Sequence, residues 1–387
     1  MLDNEFPPLG GGTGVINYHL LRELAAYPDI WIDLITSSRS RTGYTTEQFA
    51  PRIMIYKVPV DNHNIHHATN HELVRYAWRG LKLCHRLMKQ QQYDLSFAFA
   101  GVPAGAISFA LKLRWRLPYL VSLQGPDVPG FEARYQSIYP LLRPLLWFIW
   151  HRAAAVTASS LQHQQLAQRM APRLAIPIVP NGVDTDLFYP ADHCSEVLTF
   201  VCVGRLIERK GQQHLLQAFA QLQAQLPARP MRLDLIGTGD AEAGFKQQAA
   251  KLGLGSSVRF RGCIDRAEMP YVYREADVFV LPSQNEGMSI ALLEAMASGL
   301  PVVVTDTGGT DELVMAGTNG LVTEWADVGG LCVAMRRLAE DTALRQQMSQ
   351  ANRAVGLTMA WKEMAKKYLT VLELSGVAPT FMLPVSL

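Results

Sequence analysis

Residues 283–299 read SQNEGMSIALLEAMASG, and residues 276–282 just before them read ADVFVLP. The earlier run of apolar residues predicts a short buried strand. From Ser289 a series of apolar helix formers follows and ends in a Gly-Leu-Pro sequence, so the segment predicts a strand, a turn and a helix. Glu286 lies in the turn and Glu294 lies along the helix. In an open parallel sheet, such a junction is where ligands bind.

The chemistry of this segment suits a nucleotide-activated sugar. Backbone N–H groups at the helix start favour a phosphate. The carboxylate of Glu294 could accept hydrogen bonds from two adjacent ribose hydroxyls, and Glu286 could hold sugar hydroxyls. The segment resembles the E-x7-E signature of the family-4 retaining glycosyltransferases, which have the GT-B fold. Through this resemblance the donor is expected to contact Glu286, Gly287, Met288, Ser289, Ile290 and Glu294.

Length and composition are those of an ordinary globular protein with two domains. The chain has 387 residues, of which 49% are hydrophobic and 18% are charged, and a chain of this length exceeds one compact core. The five cysteines are scattered without metal or redox spacing, which favours a reducing compartment. The polar start resembles no signal peptide, and no apolar run approaches the ~20 residues of a membrane span. We therefore expect a cytoplasmic protein.

Charge is distributed unevenly between the two halves. Residues 1–183 carry 18 Lys/Arg and 11 Asp/Glu, whereas residues 184–387 carry 18 and 23. The first half is therefore suited to an anionic acceptor or to a membrane surface. Nucleic acid is not an expected partner, because basicity is modest and no nucleic-acid-binding motif is present.

A regular series of cations is predicted to lie on one helix. Cationic residues recur at intervals of 4, 3, 4 and 3, which places them on one helix face, and apolar residues including Val74 and Trp78 are predicted on the opposite face. One interpretation is peripheral docking to anionic lipid at the inner face of the membrane; the other is a solvated face above an ordinary core contact. The cations are Arg75, Arg79, Lys82, Arg86 and Lys89. A second apolar stretch, residues 139–150, is too short to span a bilayer and predicts a buried helix.

Strands and helices alternate through both halves, which predicts an α/β protein with parallel sheets and helices on both faces. Two such blocks, residues 1–183 and 184–357, predict two Rossmann-like domains that face a central cleft, with the donor bound by the second. Residues 358–387 form a closing helix and tail that resemble the family's segment packing back on the first domain. The sequence also predicts a strand at residues 176–180 and a helix at residues 310–315.

The N-terminus departs from the usual α/β pattern. Only Met1 and Leu2 precede the first polar residue, so the first strand appears truncated, and we expect a mis-assigned start. A glycine loop follows, and glycine permits close backbone approach to an oxygen-rich ligand. In the resembled family this loop faces the donor diphosphate, which points to Gly11, Gly12, Thr13 and Gly14.

Two cations follow the first strand of the second half. Arg205 stands at the strand end and Lys210 just before a helix, in a sequence that resembles the family's G-R-L-x-x-x-K-G pattern. Together they could neutralise a diphosphate leaving group; otherwise they are exposed cations at a turn. Gly237 and Ile264 resemble positions that line the nucleotide pocket. The segment from Thr307, with Gly308, Gly309 and Glu312, resembles the family's closing turn over the donor.

The predicted strand at residues 119–123 ends at Gln124. Many relatives place a histidine near this point, close to the reacting sugar. Gln124 cannot act as a base, although its amide could bind a sugar hydroxyl. Asp127 is the nearby ionisable group, and it is either a catalytic residue or a turn or cap residue before Pro129.

Several other clusters carry less chemistry. Asp184 and Asp186 form a D-x-D string of the kind that binds metals, but it lies in the linker, and GT-B enzymes of this kind typically need no metal. The histidines at 63, 66 and 67 are interpreted as surface residues. No cofactor and no metal are therefore expected.

The resemblance implies a retaining, metal-independent glycosyltransferase that moves a sugar from a nucleotide diphosphate to a hydroxyl acceptor, as many relatives do in polysaccharide biosynthesis. Glu286, Arg205, Lys210, Asp127 and Gln124 are the candidate catalytic residues. Two alternatives remain: a GT-B nucleotide-sugar epimerase, and a sugar-nucleotide-binding protein without turnover. The base, sugar and acceptor are not specified by the residues.

Overall fold

A computed structural model describes residues 1–64, 68–132, 135–191, 196–307 and 310–376. The chain forms two compact units, and each has its own β-structure and core. Unit 1 comprises residues 1–181 together with the chain from Trp361 onward, and unit 2 comprises residues 182–360. His66, His67, Gly308 and Gly309 lie outside the described residues.

Unit 1 contains two three-stranded sheets, with strand orders β1-β3-β2 and β4-β5-β6. All of the pairs are parallel except β2–β3, which is antiparallel and was not predicted. The fully buried strands β4 and β5 are mostly apolar, with one serine each, as is common for parallel central strands. The strands are β1 (Ile32–Ser38), β2 (Thr45–Ala50), β3 (Ile53–Pro59), β4 (Ser96–Phe99), β5 (Tyr119–Leu123) and β6 (Ala155–Ala158).

The first residues of the chain lie between these two sheets. Leu2 pairs in parallel with Ile35 of β1 and with Ala98 of β4. Its N–H donates to the carbonyl of Phe97 at 2.8 Å, and the carbonyl of Met1 accepts from Ile35 at 2.9 Å. The position of a central strand in unit 1 is therefore held by about three residues, which satisfy the backbone groups of both neighbours.

Within the described residues of unit 1 there are six α-helices. The helices α2, α3 and α4 pack side by side in this order, and α1 packs against α12. The terminal helix α12 reaches the sheet of unit 1, where the Tyr368 ring meets the Phe97 ring edge-on at 5.0 Å between centroids. These helices are α1 (Gly12–Leu24), α2 (Asn70–Gln90), α3 (Ala104–Trp115), α4 (Tyr139–Arg152), α5 (Leu161–Met170) and α12 (Trp361–Leu374).

Two predictions for the helices of unit 1 are wrong in part. In α2 the core side is formed by Tyr76, Leu83 and Leu87, whereas Val74 and Trp78 are 69% and 65% exposed. Helix α4 is buried on one side only; its other side is exposed to solvent. In both cases the apolar residues extend around more of the helix than the sheet beneath can cover. No helix in the described part of the chain is long and apolar enough to cross a membrane.

Unit 2 has one six-stranded parallel sheet with the order β12-β11-β10-β7-β8-β9. One hydrophobic cluster lies against each face of the sheet, and each cluster includes helical residues. The strands are β7 (Leu198–Val203), β8 (Met231–Ile236), β9 (Val258–Gly262), β10 (Val278–Leu281), β11 (Val302–Thr305) and β12 (Gly320–Thr323). The helices are α6 (Gln212–Gln225), α7 (Glu242–Lys251), α8 (Met269–Arg274), α9 (Ile290–Ala297), α10 (Val328–Glu340) and α11 (Thr342–Thr358).

Two predicted elements are shorter than expected. Of residues 176–180, only Ile178 makes a bridge, to Ala158 at the end of β6. At residues 310–315 the structure has a three-residue 3₁₀ turn, Thr310–Glu312. In the linker, the Asp184 carboxylate accepts the backbone N–H groups of Asp186 and Leu187, both at 3.3 Å. Asp184 is therefore a turn-forming residue.

Candidate functional site

The order of strands in unit 2 reverses between β10 and β7. From β7 the chain proceeds outward through β8 and β9, whereas β10, β11 and β12 extend in the other direction. At such a reversal the loops that follow the two central strands separate and leave a crevice at the carboxyl edge of the sheet. The loop after β7 carries Arg205 and Lys210, and the loop after β10 carries Glu286. Sequence positions about 76 residues apart therefore meet at this edge.

A glycine brings these two loops together. Gly211 has a φ of +75°, and a Cβ atom added there would lie 1.9 Å from the carbonyl oxygen of Pro282. Next to this contact, the N–H of Gln284 donates to the carbonyl of Arg209 at 2.9 Å, and the Arg209 guanidinium donates to the Asn285 side chain at 2.8 Å. Any side chain at position 211 would force the loops apart, because the backbone of Pro282, just after β10, occupies its space.

Lys210 and Glu286 form an ion pair at the centre of the crevice. Their side chains are only 15% and 14% exposed. Burial acts to raise the pKa of the Glu286 carboxyl, but the charge and hydrogen bond of Lys210 outweigh it, so the pKa lies below its usual value. Glu286 is therefore a carboxylate at neutral pH.

Glu294 lies buried on α9, in a polar cluster below the loop. The hydroxyl of Tyr273 donates to one carboxylate oxygen at 3.0 Å, and the Arg266 guanidinium lies 3.3 Å from the other. Burial raises the pKa of Glu294 above its usual value, although Arg266 and Tyr273 oppose the shift. Because these two groups fix both oxygens, the carboxylate has one defined orientation.

The start of α9 supplies backbone donors beside Glu286. Ser289 caps the helix by accepting the N–H of Leu292 at 3.4 Å. A small pocket at the ends of β10 and β11 brings together Glu286, Gly287, Ser289 and Thr307. The Met288 side chain belongs to the hydrophobic cluster below, so this residue can offer a ligand its backbone only. Ile290 is the first residue of the helix.

The remaining predicted residues of unit 2 follow neighbouring strands. Arg205 lies two residues after β7, and its carbonyl accepts a hydrogen bond from Gln212 at 3.0 Å. Gly237 follows β8 with a φ of +127°, and a Cβ atom there would lie 2.1 Å from the carbonyl oxygen of Gly204. Ile264 follows β9 and packs partly against the core. These residues therefore lie along the same carboxyl edge as the ion pair.

The glycine loop of unit 1 opens α1, as expected for Gly11, Gly12, Thr13 and Gly14. Its backbone already holds a carboxylate: the N–H of Gly11 donates to Glu5 at 2.9 Å. Asp3 accepts the N–H of Glu5 at 3.1 Å, and burial together with the negative charge of Glu5 raises the pKa of Asp3 well above its usual value. An anionic ligand at this loop would compete with Glu5 for the N–H donor.

Asp127 lies at the loop that follows β5. Its carboxylate accepts backbone N–H groups from Gly101 at 2.8 Å, from Gly125 at 3.0 Å and from Gln124 at 3.2 Å. Burial nevertheless raises its pKa above the usual value, against these bonds. A carboxylate with three backbone donors organises a turn, so the structure favours the second interpretation of Asp127.

Gln124 is linked to the terminal helix of unit 1. Its amide donates to the hydroxyl of Ser122 at 2.7 Å, and Ser122 in turn shares a hydrogen bond of 2.7 Å with the hydroxyl of Tyr368. Both Ser122 and Tyr368 are buried. The orientation of Gln124 is therefore set by a residue about 240 positions away in sequence.

Several residues of these sites were not found by sequence reasoning. Tyr273 and Arg266 support Glu294, Glu5 occupies the glycine loop, and Tyr368 supports Gln124. Three of the four depend on contacts between different loops or helices, and Glu5 contacts Gly11 within one loop. Only Glu5 could have been noticed in the sequence. It is an acidic residue close to a glycine loop that was expected to attract anions.

Together, two Rossmann-like units and polar residues at the switch point of a parallel sheet define the GT-B class of glycosyltransferase. Residues 10–187 match the family described as Glycosyltransferase Family 4, and residues 192–355 match Glycosyl transferases group 1. The chain belongs to the group 1 glycosyltransferases of the family-4 type.

A curated relative agrees with this assignment, and two solved structures agree with the fold. The chain is 32% identical over 381 residues to the GDP-mannose-dependent alpha-(1-6)-phosphatidylinositol monomannoside mannosyltransferase of Mycolicibacterium smegmatis, covering 91% of this chain and 92% of that one. In fold it is similar to sucrose-phosphate synthase from Thermosynechococcus elongatus, with a TM-score of 0.82, 21% identity, and 95% and 94% of the two chains covered. It is also similar to Anabaena Alr3699/HepE in complex with UDP and glucose, with a TM-score of 0.73, 20% identity, and 96% and 98% covered.

Proposed function

We propose that the protein is a retaining, metal-independent mannosyltransferase that uses GDP-mannose and a lipid-linked hydroxyl acceptor. Transfer of a sugar from a nucleotide donor is established by the family. The choice of donor is supported by the Mycolicibacterium smegmatis relative, whose similarity extends over both units and whose name specifies GDP-mannose. The observation that carries the proposal is the buried Lys210–Glu286 pair at the switch point.

In this proposal unit 2 holds the donor. The carboxylate of Glu294 accepts the ribose hydroxyls, and the backbone N–H groups at the start of α9 bind phosphate oxygens. Lys210 and Arg205 neutralise the charge that develops on the diphosphate as the glycosidic bond breaks. Glu286 orients the hydroxyls of the sugar, and Lys210 keeps the Glu286 carboxylate ionised. Gly237 and Ile264 border the nucleoside.

We assign retention of the anomeric configuration to a mechanism in which the departing phosphate acts as the base. The acceptor oxygen bonds to the anomeric carbon on the face from which the phosphate departs, and the acceptor proton passes to the departing phosphate oxygen. Gln124 has no basic group, and Asp127 is already bound by three backbone donors. Gln124 then serves to position a sugar hydroxyl, and Asp127 holds the loop that carries it.

The proposed lipid-linked acceptor implies contact with a membrane. Of the cationic series on α2, Arg75 donates to the carbonyl of Val60 at 2.6 Å, and Arg79 binds the carbonyl of Pro59. These two arginines therefore also fix the end of β3. Lys82, Arg86 and Lys89 are exposed along the same helix and would provide the attraction to anionic lipid.

The first experiment is a thermal-shift titration of the full chain with GDP-mannose, UDP-glucose and ADP-glucose. We expect the GDP-sugar to raise the melting temperature, because a ligand that binds only the folded state stabilises it. Glu294→Gln should remove most of the shift, since a neutral amide replaces the ribose acceptor. Glu340→Gln, an exposed acid on α10, is the matched control and should keep it. A shift with UDP-glucose alone would refute the GDP assignment.

Turnover distinguishes the alternatives. Acceptor-dependent release of GDP, with a product of unchanged anomeric configuration by NMR and full activity in a chelator, is the expected result. Isomerisation of the donor without acceptor and without GDP release would indicate the epimerase. Donor binding without any turnover over a panel of mannosylated lipid acceptors would indicate the non-catalytic binding protein.

A further inference from the structure

The outer face of α4 exposes large apolar side chains. Leu141 is 81% exposed, Phe148 is 50% exposed and Leu145 is 39% exposed. Their spacing of four and three residues places them in one stripe along the helix. Trp147 lies beside this stripe at 42% exposure, and its ring meets that of Phe148 edge-on at 5.2 Å between centroids. We call these four residues the α4 patch.

The opposite side of α4 packs against the core of unit 1. Leu146, Ile149 and Trp150 are buried in the core of unit 1. The α4 patch is thus additional to what packing requires. Large solvent-exposed apolar groups that are contiguous generally mark an interaction surface.

The charged side chains that α3 and α4 carry have one sign. Helix α4 contributes Arg143 and Arg152, and the adjacent helix α3 contributes Lys112 and Arg114. Neither helix contains an aspartate or a glutamate, and the sequence has none between Glu132 and Asp184. Leu113 on α3 adds a further apolar side chain, 68% exposed.

On the other side of α3, helix α2 continues the same composition. Its outer residues include Val74 and Trp78, and the Lys82 ammonium lies 5.8 Å from the Trp78 ring centre. The only acid of α2, Glu72, is buried and caps the start of the helix. The layer α2–α3–α4 therefore combines cations with exposed aliphatic and aromatic groups.

We infer that the α4 patch inserts into the interfacial region of an anionic lipid bilayer, with α2 and α3 providing cations beside it. Tryptophan and phenylalanine next to arginine suit the boundary between head groups and acyl chains. A protein partner of ordinary surface composition would offer little to the cations of α3 and α4, whereas anionic head groups complement them. Helix α4 has 14 residues, so it can lie along the surface but cannot span the bilayer. This inference extends the proposed membrane contact, and donor binding provides a separate readout.

The test is co-sedimentation of the full chain with vesicles of phosphatidylcholine alone or with about 30% phosphatidylglycerol, which supplies negative surface charge. The wild type should bind the anionic vesicles. A Leu141→Ser/Phe148→Ser variant should bind about tenfold or more weakly, because two large apolar side chains no longer leave water. The matched control, Trp31→Ser/Leu357→Ser, removes two exposed apolar groups elsewhere and should bind like the wild type.

Insertion has its own signal. An environment-sensitive fluorophore on Leu145→Cys, in a background with Cys194 and Cys263 changed to serine, should shift to the blue with anionic vesicles. Equal vesicle binding by the wild type and the α4 variant would overturn the inference. So would a concentration-dependent dimer, seen by light scattering, that the α4 variant abolishes without any vesicle binding by the wild type. Retained GDP-mannose shifts in the α4 variant would show that its fold and donor site are intact.

Discussion

Replacing Lys210 with alanine tests the centre of the proposed donor site, because it leaves the largely buried Glu286 without its ion-pair partner. The two side chains are 15% and 14% exposed. Removing one partner of a fully buried pair costs about 3–5 kcal/mol, and the remaining exposure places Lys210→Ala near the lower end, at about 3 kcal/mol. For a unit of this size that corresponds to a melting temperature lower by about 6–12 °C.

The stability that Lys210→Ala loses should depend on pH in a defined direction. In the wild type the pKa of Glu286 is lowered, so its contribution is complete above the unfolded pKa and is lost only as pH falls through the folded value. Without Lys210, burial raises the pKa instead. The deficit of the variant should therefore shrink by about 1 kcal/mol or more between about pH 7.5 and pH 5, as Glu286 takes up a proton.

The assay is differential scanning calorimetry, in which the transition shifted by GDP-mannose identifies unit 2. Lys246→Ala is the control, because it breaks an exposed pair with Glu242 and should cost about 0.5 kcal/mol. Lys210→Ala/Glu286→Gln should recover much of the stability but not the activity, which should stay about 10²–10³-fold reduced. A deficit under about 1 kcal/mol that is the same at both pH values would refute the reasoning.

Three further predictions follow from single contacts. Tyr273→Phe removes the hydroxyl that donates to Glu294, and titration calorimetry should show GDP binding weakened about tenfold, as for a hydrogen bond to a charged group. Gly211→Ala introduces a Cβ atom 1.9 Å from a carbonyl oxygen. Calorimetry should therefore show that the free energy of unfolding of unit 2 falls by about 2 kcal/mol or more. Tyr368→Phe removes the hydroxyl that is hydrogen-bonded to Ser122, and Ser122 in turn orients Gln124. Steady-state kinetics should therefore show a higher acceptor KM with an unchanged donor KM.

The parts of unit 2 that follow from the sequence are those in which one local pattern determines the outcome. Residues 276–299 combine a short apolar run, a turn with glycine and a serine-capped helix, and each step has a local cause. The structure accordingly places β10 at Val278–Leu281 and α9 at Ile290–Ala297. The family and the GT-B fold class predicted from this segment are confirmed. The roles of the individual site residues stay predictions.

The features that could not be predicted from the sequence depend on contacts between residues that are distant in the chain. Strand β2 was missed because its residues TTEQFA do not alternate in polarity, and it is held by pairing with β3 alone. The pairing of Lys210 with Glu286 was not foreseen, because each was assigned separately to the ligand. It arises only when the switch point brings the loops after β7 and β10 together.

The same argument explains the error over α4. The sequence YPLLRPLLWFIWHR is apolar on every side, and composition alone favours a buried helix. The sheet of unit 1 and its neighbouring helices cover one side only, so Leu141 and Phe148 stay in water. Apolar content shows how much surface a helix could bury, whereas the neighbouring elements decide how much it does. The difference between the two is the surface that we assign to the bilayer.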